Sequence, residues 1–242
     1  MLKRRLVQLH KALALARHPV FRRGLWQGIG ATIEHKDQLA ALPLRTVVDV
    51  GANTGQFALL SRGLFPDAKI FSFEPLSRPA AKYRRLFEGD AHVRLFQAAV
   101  APISDRREMH VSARDDSSSL LAISDRQVAF APGTGEVGRE EVTLGPLSQF
   151  ISASDIVGPA VLKLDVQGYE LEALTGCASL LSCFRYIFVE VSFKPLYHGQ
   201  VLAAELIEWL ADHGFHARSA GNVSYGEDSC IVQFDILFQA DG

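Results

Sequence analysis

The residues of this chain that could bind and transform a ligand begin with a glycine turn. Residues 46–55 read TVVDVGANTG, in which Val47, Val48 and Val50 form a short apolar run typical of a strand buried on both faces. Residues 56–64 then predict a helix. A strand, a tight glycine turn and a helix amino terminus bring backbone N–H groups close to a nucleotide-like ligand. The residues expected to contact it are Gly51, Ala52, Asn53 and Gly55.

A carboxylate follows the next predicted strand, which spans residues 68–73. In an open α/β sheet the first two strands lie side by side, so Glu74 would lie beside the glycine turn. There its carboxylate can accept hydrogen bonds from both hydroxyls of a ribose. We therefore expect Glu74 to bind the ribose of a nucleoside.

The spacing of the glycine turn distinguishes two classes of cofactor. A dinucleotide site needs G-x-G-x-x-G, because its pyrophosphate requires a second close approach of the backbone. This chain has D-x-G-x-x-x-G, with Asp49 before the first glycine. Asp49 would repel a pyrophosphate, but it can interact with the ammonium group of an amino-acid-bearing nucleoside. The pattern favours S-adenosylmethionine over NAD, and a plain βα turn without a ligand is the alternative.

Three residues farther along the chain could act as a base during methyl transfer to a hydroxyl. Asp165 and Glu190 lie at the carboxyl ends of neighbouring predicted strands, and His198 follows on a loop. We expect them to be catalytic in that order, with Asp165 also contacting the cofactor and Lys163 as an electrostatic partner. As alternatives, Asp165 could cap the following helix, Glu190 could pair with Lys163, and His198 could be a polar loop residue. The three residue types would suit a divalent ion, but their spacing is not diagnostic of a metal site, so no metal is predicted.

The elements that must position these residues predict one α/β domain. Strands and helices alternate through residues 46–242, interrupted by a loop and β excursion at about 102–159. Residues 1–45 form a helical extension in this prediction. The pattern indicates a doubly wound, mostly parallel, seven-stranded Rossmann-like sheet with an antiparallel strand at the carboxyl end.

Composition and charge restrict the partners of this 242-residue chain. Its formal net charge of −2 and pI of about 6.4 do not predict nucleic acid as a partner. A basic amphipathic helix over residues 2–16 is expected to pack on the domain, with weak contact to a membrane surface as the alternative. No apolar run is long enough for a signal peptide or a membrane span. Three cysteines without metal-ligand spacing are expected to be buried free thiols, which favours a cytoplasmic location.

Three stretches together resemble the FkbM family of S-adenosylmethionine-dependent methyltransferases: residues 48–55 (VDVGANTG), 73–75 (FEP) and 162–170 (LKLDVQGYE). Residues 117–120 (SSSL) and 191–200 (VSFKPLYHGQ) are also similar to that family. Residues 162–170 are the most specific of these stretches. Two positions depart from the family pattern. Members often have an acidic residue where this chain has Gln167, and an Asp where it has Gly145.

The resemblance implies a class I methyltransferase fold and O-methylation of a hydroxyl, typically of a sugar in a glycolipid, glycan or natural product. The loop that contains Ser119 could close over the adenine or the acceptor, or it could be a solvated turn beside Asp115 and Asp116, and the resemblance favours the first. The resemblance implies that Glu74 binds the ribose and that four residues of the turn hold the methionine end of S-adenosylmethionine. Those four are Asp49, Gly51, Asn53 and Gly55.

Two other functions remain open from the sequence. One is an NAD(P)-dependent oxidoreductase on a similar sheet, against which the missing G-x-G-x-x-G and Asp49 both count. The other is a methyltransferase-like module that binds partners without catalysis. The oligomeric state and the identity of the acceptor are not predicted.

Overall fold

The computed structural model describes residues 19–241 of the chain. The helix predicted over residues 2–16 lies outside these residues. The described part begins with helix α1 (Pro19–Trp26), a single 3-10 turn (Ile33–His35) and the short helix α2 (Lys36–Leu39). This leading segment packs on helix α3 (Gln56–Leu64) and places His35 among buried residues of the domain.

A seven-stranded sheet forms the centre of residues 19–241, in the strand order β3-β2-β1-β7-β8-β10-β9. Neighbouring strands run parallel except at β10, which is antiparallel to both β8 and β9. The doubly wound sheet with an antiparallel strand at the carboxyl end is therefore confirmed. The strands of the chain are β1 (Thr46–Val50), β2 (Lys69–Phe73), β3 (Val93–Phe96), β4 (Ala99–Val100), β5 (Asp105–Ser112), β6 (Glu136–Gly145), β7 (Ala160–Leu164), β8 (Tyr186–Ser192), β9 (Phe215–Tyr225) and β10 (Ile231–Ala240).

Helices cover both faces of the sheet because its central strands are apolar on both sides. All five residues of β1 and all five of β7 are buried. Val48 and Val50 belong to one apolar cluster, while Val47 belongs to the cluster on the other face. Burial of each such side chain contributes about 1.5–3 kcal/mol. The remaining helices are α4 (Ser77–Leu86), α5 (Asp125–Phe130), α6 (Glu170–Cys177) and α7 (Ala203–Asp212).

The segment predicted as an excursion contains a small second sheet of order β4-β6-β5. Strands β5 and β6 pair antiparallel, and β4 pairs parallel to β6. The sequence of residues 93–99 predicts one continuous strand, but β3 is shorter in the structure. It ends at Phe96, whose carbonyl accepts from the N–H of Glu74, and the chain then crosses to the second sheet at Ala99.

The cysteines and the helices give two further results. Cys177 is buried and Cys183 is partly buried, but Cys230 is exposed beside the turn between β9 and β10, so the expectation of three buried thiols is wrong there. Among residues 19–241, every helix is too short or too polar to cross a membrane.

Candidate functional site

A cavity of about 470 Å³ lies at the carboxyl ends of β1, β2 and β7. We call residues 51–53, 74–76 and 98–100, which line part of it, the motif region. We call Glu34, His35 and Asp235 the chain-end region, because Glu34 and His35 also line the cavity and Asp235 contacts His35 from β10. Between β1 and these residues, the end of β7 contributes Lys163 and residues 165–167 to the lining. The sheet topology thus brings together residues from the whole chain.

The glycine turn is held by the backbone of the two neighbouring strands. The N–H groups of Gly51 and Ala52 donate to the carbonyl of Phe73, at 3.0 and 2.9 Å. Gly51 has a φ of +79°, and a Cβ placed on it would overlap the carbonyl oxygen of Asp165. Only glycine therefore permits this close approach of the turn to the end of β7. Gly55, at φ +100°, precedes α3 and packs against Tyr83 and Phe87 of the α4 region rather than lining the cavity.

Glu74 is oriented by two backbone donors. Its Oε2 accepts from the N–H of Asn53 and its Oε1 from the N–H of Leu76, both at 2.9 Å. Burial raises the pKa of Glu74 to about 7, although these two hydrogen bonds act in the opposite direction. Each oxygen keeps further acceptor capacity, so the carboxylate can bind two hydroxyls of a ligand in the cavity.

Asp49 contacts Lys163 instead of lining the cavity as a direct ligand. The carboxylate is fully buried, with Oδ1 3.0 Å from Nζ of Lys163. Nζ also donates to the carbonyl of Gly51 at 2.9 Å and lies 3.9 Å from Asp165. Desolvation alone would lower the pKa of Lys163, but the carboxylates of Asp49 and Asp165 raise it above its ordinary value. The predicted contact of Asp49 with an ammonium group is thus replaced by an ion pair that ties the glycine turn to β7.

Asp165 lines the cavity and is held by a residue that the sequence did not single out as functional. Nε2 of Gln167 donates to Oδ1 of Asp165 at 2.7 Å and lies 3.5 Å from Glu190. The amide oxygen of Gln167 accepts from the hydroxyl of Tyr197 at 2.7 Å. Gln167 has a φ of +56°, in the left-handed region that favours glycine. Its amide therefore bridges the two predicted catalytic carboxylates, where the family pattern suggested only a missing acid.

Glu190 is placed beside Asp165 but lies outside the cavity lining. Its Oε1 accepts from Nε2 of Gln233 at 2.6 Å. Desolvation, together with the neighbouring carboxylates of Asp165 and Asp235, raises the pKa of Glu190 well above its ordinary value. The geometry gives Glu190 a positioning role within the hydrogen bonds of Gln167 and Gln233.

His198 does not approach the cavity in this structure. Its side chain is exposed, and its backbone N–H donates to the carbonyl of Ala122 at 2.9 Å. The preceding residue, Tyr197, is the buried one, because its hydroxyl reaches Gln167 and the carbonyl of Ser117. His198 lies in the turn that follows Tyr197, and its catalytic role stays a prediction.

Ser119 also supports the cavity from behind. It is fully buried, and its hydroxyl donates to the carbonyl of Gln167 at 2.7 Å. Its neighbours Ser118 and Leu120 are the residues of this loop that line the cavity. Ser119 therefore joins the loop of residues 117–120 to the segment that follows β7. Its direct contact with a cofactor stays a prediction.

The chain-end region contains a histidine–aspartate pair that sequence reasoning missed. Nδ1 of His35 lies 3.4 Å from Oδ2 of Asp235, an ion-pair distance when the imidazole is protonated. The same oxygen of Asp235 accepts from Nδ2 of Asn222 at 2.9 Å. Burial raises the pKa of Asp235 to about 7, although the Asn222 hydrogen bond lowers it. No local motif signals this pair, because its members come from opposite ends of the chain.

Comparison with known proteins identifies the family. A sequence model of the methyltransferase FkbM domain matches residues 49–217. The 2-O-methyltransferase NoeI of Sinorhizobium fredii is 27% identical over 69% of this chain and 72% of its own length. The hexuronic acid methyltransferase AglP of Haloferax volcanii is 30% identical over 59% of this chain and 54% of its own length.

Solved structures support the fold alone, since their sequence identity is low. An uncharacterised protein of Listeria monocytogenes serotype 4b superposes with a TM-score of 0.51 at 9% identity, over 86% of this chain and 67% of that one. A proposed rRNA methylase of Clostridium thermocellum has a TM-score of 0.50 at 10% identity, over 88% and 97% of the two chains. With the family match spanning the glycine turn, Glu74 and the end of β7, this chain belongs to the FkbM family of methyltransferases.

Proposed function

We propose that the protein transfers a methyl group from S-adenosylmethionine to a hydroxyl group of a sugar. The observation that carries this proposal is the carboxylate of Glu74, which two backbone N–H groups hold in the cavity beside the glycine turn. A carboxylate in this position can bind the two hydroxyls of a ribose. The family membership and the names of the two relatives support the reaction and the class of acceptor.

The residues of the motif region fit such a cofactor. Oδ1 of Asn53 is buried, and within residues 19–241 it has no hydrogen-bond partner, so it is available to a polar ligand. The close approach at Gly51 leaves backbone groups next to the cavity. In the proposal, Glu74 binds the ribose, and Gly51, Ala52 and Asn53 hold the amino-acid end. Asp49 and Gly55 support these residues from outside the lining.

S-adenosylmethionine would supply an activated methyl group on its sulfonium. The protein then has to orient the acceptor hydroxyl and exclude water, which is where most of the rate enhancement of such a transfer arises. Asp165 lines the cavity with its carboxylate oriented by Gln167, so it is the proposed contact for the acceptor and the cofactor. Gln167 is in turn fixed by Tyr197.

The sugar hydroxyl is the finer part of the proposal. One relative is described as acting on a hexuronic acid and the other as a 2-O-methyltransferase. A 2-O-methyltransferase acts on an oxygen atom, and a hexuronic acid is a sugar that carries several hydroxyl groups. Methylation of a hydroxyl needs the same alignment whichever sugar carries it. We therefore propose the class of acceptor and leave the individual sugar to experiment.

Calorimetric titration with S-adenosylhomocysteine tests the cofactor, with NADH titrated in parallel. We expect S-adenosylhomocysteine to bind and NADH not to bind. Glu74→Gln should weaken the affinity about 100-fold, because it removes charge-assisted hydrogen bonds worth about 1.5–3 kcal/mol each. Glu205→Gln, which alters an exposed glutamate of α7, is the matched control and should bind as the original protein does. Binding of NADH, or the same affinity in Glu74→Gln, would contradict the proposal.

Transfer of a tritiated methyl group then tests the acceptor. A panel of methyl pyranosides, with neutral sugars and uronic acids in separate reactions, should contain at least one acceptor. The labelled product should resist periodate cleavage at the methylated position, because an O-methyl group blocks glycol cleavage there. Label in no member of the panel would reject the sugar while leaving the cofactor result intact.

A further inference from the structure

The cavity lining includes a side chain whose partner lies almost at the other end of the chain. His35 comes from the 3-10 turn before β1, and Asp235 comes from the last strand, β10. Both lie outside residues 49–217, which the family model matches. His35 nevertheless lines the same cavity as Glu74 and Asp165.

Packing restricts the imidazole of His35. Its ring meets the ring of Phe188 edge-on, with 5.0 Å between centroids, and lies 6.1 Å from that of Phe57. The residue is only 9% exposed. Phe188 is the sheet neighbour of Lys163, and Nζ of Lys163 lies 5.6 Å from the centre of the Phe57 ring, so the imidazole packs on the aromatic side chains next to Lys163. A restricted ring in this position can act on a ligand without first being ordered.

Asp235 restricts the ring from the side of Nδ1. The carboxylate is held by Asn222, and the charges around it are those of Lys163, Asp165 and Glu34. In an Asp–His pair, a carboxylate facing one ring nitrogen selects the tautomer that carries its proton there and stabilises the imidazolium that forms during proton transfer. In this structure Nδ1 lies 3.4 Å from Oδ2 of Asp235 and makes no hydrogen bond there, so the pair needs a small rotation that brings the Nδ1 proton onto the carboxylate and leaves proton exchange to Nε2.

We propose that His35 is the general base that removes the proton of the acceptor hydroxyl, and that Asp235 is its positioning residue. This inference rests on the proposed function. The acceptor oxygen forms a bond to the methyl carbon while the carbon–sulfur bond of the sulfonium donor breaks, and the bonding pair stays on sulfur. The hydroxyl proton moves to Nε2 of His35, so that a methyl ether, a neutral thioether and an imidazolium beside Asp235 result.

The other candidates are less suited to this step. Glu190 lies outside the cavity lining, and its carboxyl group is engaged by Gln233 and Gln167. Asp165 uses Oδ1 to accept from Gln167 and lies 3.9 Å from Nζ of Lys163, and both interactions fix the orientation of its carboxylate. An imidazole is the side chain whose basicity best matches proton transfer near neutral pH. Asp165 retains the role of orienting the reactants.

Turnover separates this role from a structural one. His35→Gln and His35→Asn should lower kcat on the best glycoside of the panel by about 100-fold or more, the range expected for loss of a general base. The affinity for S-adenosylhomocysteine should change by less than about threefold in both variants, since the motif region is intact. His92→Asn, at an exposed histidine, is the matched control and should retain kcat. Unchanged kcat in His35→Gln would overturn the proposal.

A spectroscopic measurement tests the pair without any acceptor. In ¹⁵N-labelled protein at pH 8.5, where Asp235 with its pKa of about 7 is ionised, long-range ¹H–¹⁵N spectra should show His35 with its proton on Nδ1. The resonance is assigned by its loss in His35→Asn. Asp235→Asn should shift the population towards the other tautomer and lower kcat about tenfold.

The outcomes distinguish the two proposals. If S-adenosylhomocysteine does not bind to the original protein, the proposed function fails. If it binds, but His35 carries its proton on Nε2 or its tautomer is insensitive to Asp235→Asn, the histidine–aspartate pair is overturned and the methyltransferase proposal stands. The spectrum decides this even when no glycoside of the panel is methylated.

Discussion

The motif region and the chain-end region of one cavity are built by different means. In the motif region, backbone groups and one carboxylate from nearby segments shape the cavity, with the N–H of Asn53 donating to Glu74 and the N–H of Gly51 donating to Phe73. In the chain-end region, the side chains of His35 and Asp235 meet across the sheet. The first arrangement depends on backbone geometry and the second on tertiary packing. Changes in the two regions should therefore damage different properties.

Substitutions that disturb the backbone of the motif region should have the largest effect. Gly51→Ala should abolish binding of S-adenosylhomocysteine and lower the free energy of unfolding by about 3 kcal/mol or more, because the new Cβ combines positive-φ strain with overlap against Asp165. Urea denaturation followed by circular dichroism measures the loss. Gly28→Ala is the matched control, since Gly28 also has a positive φ, of +73°, but open space at its Cβ position. Equal effects in the two variants would refute the role of the close approach.

Loss of the ion pair between Lys163 and Asp49 should have the next largest effect. Lys163→Met should lower the free energy of unfolding by about 3–5 kcal/mol, because it leaves Asp49 charged and buried without its partner. The double variant Asp49→Leu, Lys163→Met should regain much of this loss, since it removes both charges. Lys194→Met changes an exposed lysine and serves as the control in the same denaturation experiment. A loss below about 1 kcal/mol in Lys163→Met would mean that the pair does not hold the turn.

The pH dependence of binding should report on Glu74. Its pKa is about 7 in the folded protein, above its ordinary 4.5, and the ionised form accepts the ribose hydroxyls in the proposal. Affinity for S-adenosylhomocysteine should rise between pH 6 and pH 8. Below the pKa of Glu74 the increase should be up to about tenfold per pH unit, and above the pKa the affinity should level off. Calorimetry at a series of pH values measures this pH dependence, which should be absent in Glu74→Gln.

Without ligand, the free energy of unfolding should change with pH in the opposite direction to the affinity. Between pH 4.5 and 7 the folded protein binds more protons at Glu74 than the unfolded chain does, so the free energy of unfolding falls as pH rises through this window. Glu170 and Asp235, whose pKa values are also raised to about 7, contribute in the same direction. Stability that increases over this range would contradict the buried position of these carboxyl groups.

The smallest effect should be at His198. Because its side chain is exposed and its only described hydrogen bond is through the backbone, His198→Ala should keep kcat within about twofold of the original value. The same assay applied to His35→Gln gives the contrast between the two histidines. A loss of tenfold or more in His198→Ala would restore the role that the sequence suggested for it.

Local patterns predicted most of the motif region. The apolar run of β1 and the helix over residues 56–64 match the structure residue for residue, because a buried strand and a glycine-started helix leave strong local signals. The side of the chain on which a residue points was harder to predict. Ser119 lies behind the cavity lining and His198 is exposed, whereas Ser118 and Leu120 line the cavity and Tyr197 supports it through Gln167.

By itself, the sequence determined the sheet, the glycine turn and the position of Glu74, since each follows from hydrophobic periodicity or from the special conformations of glycine over a few adjacent residues. Tertiary structure alone decided that Gln167 bridges Asp165 and Glu190, that Lys163 pairs with Asp49, and that His35 meets Asp235. These contacts depend on strand order and register, which place distant residues side by side without any pattern in the intervening chain. The residues that bind can therefore be read locally, whereas those proposed to act on the acceptor become visible only when the two ends of the chain come together.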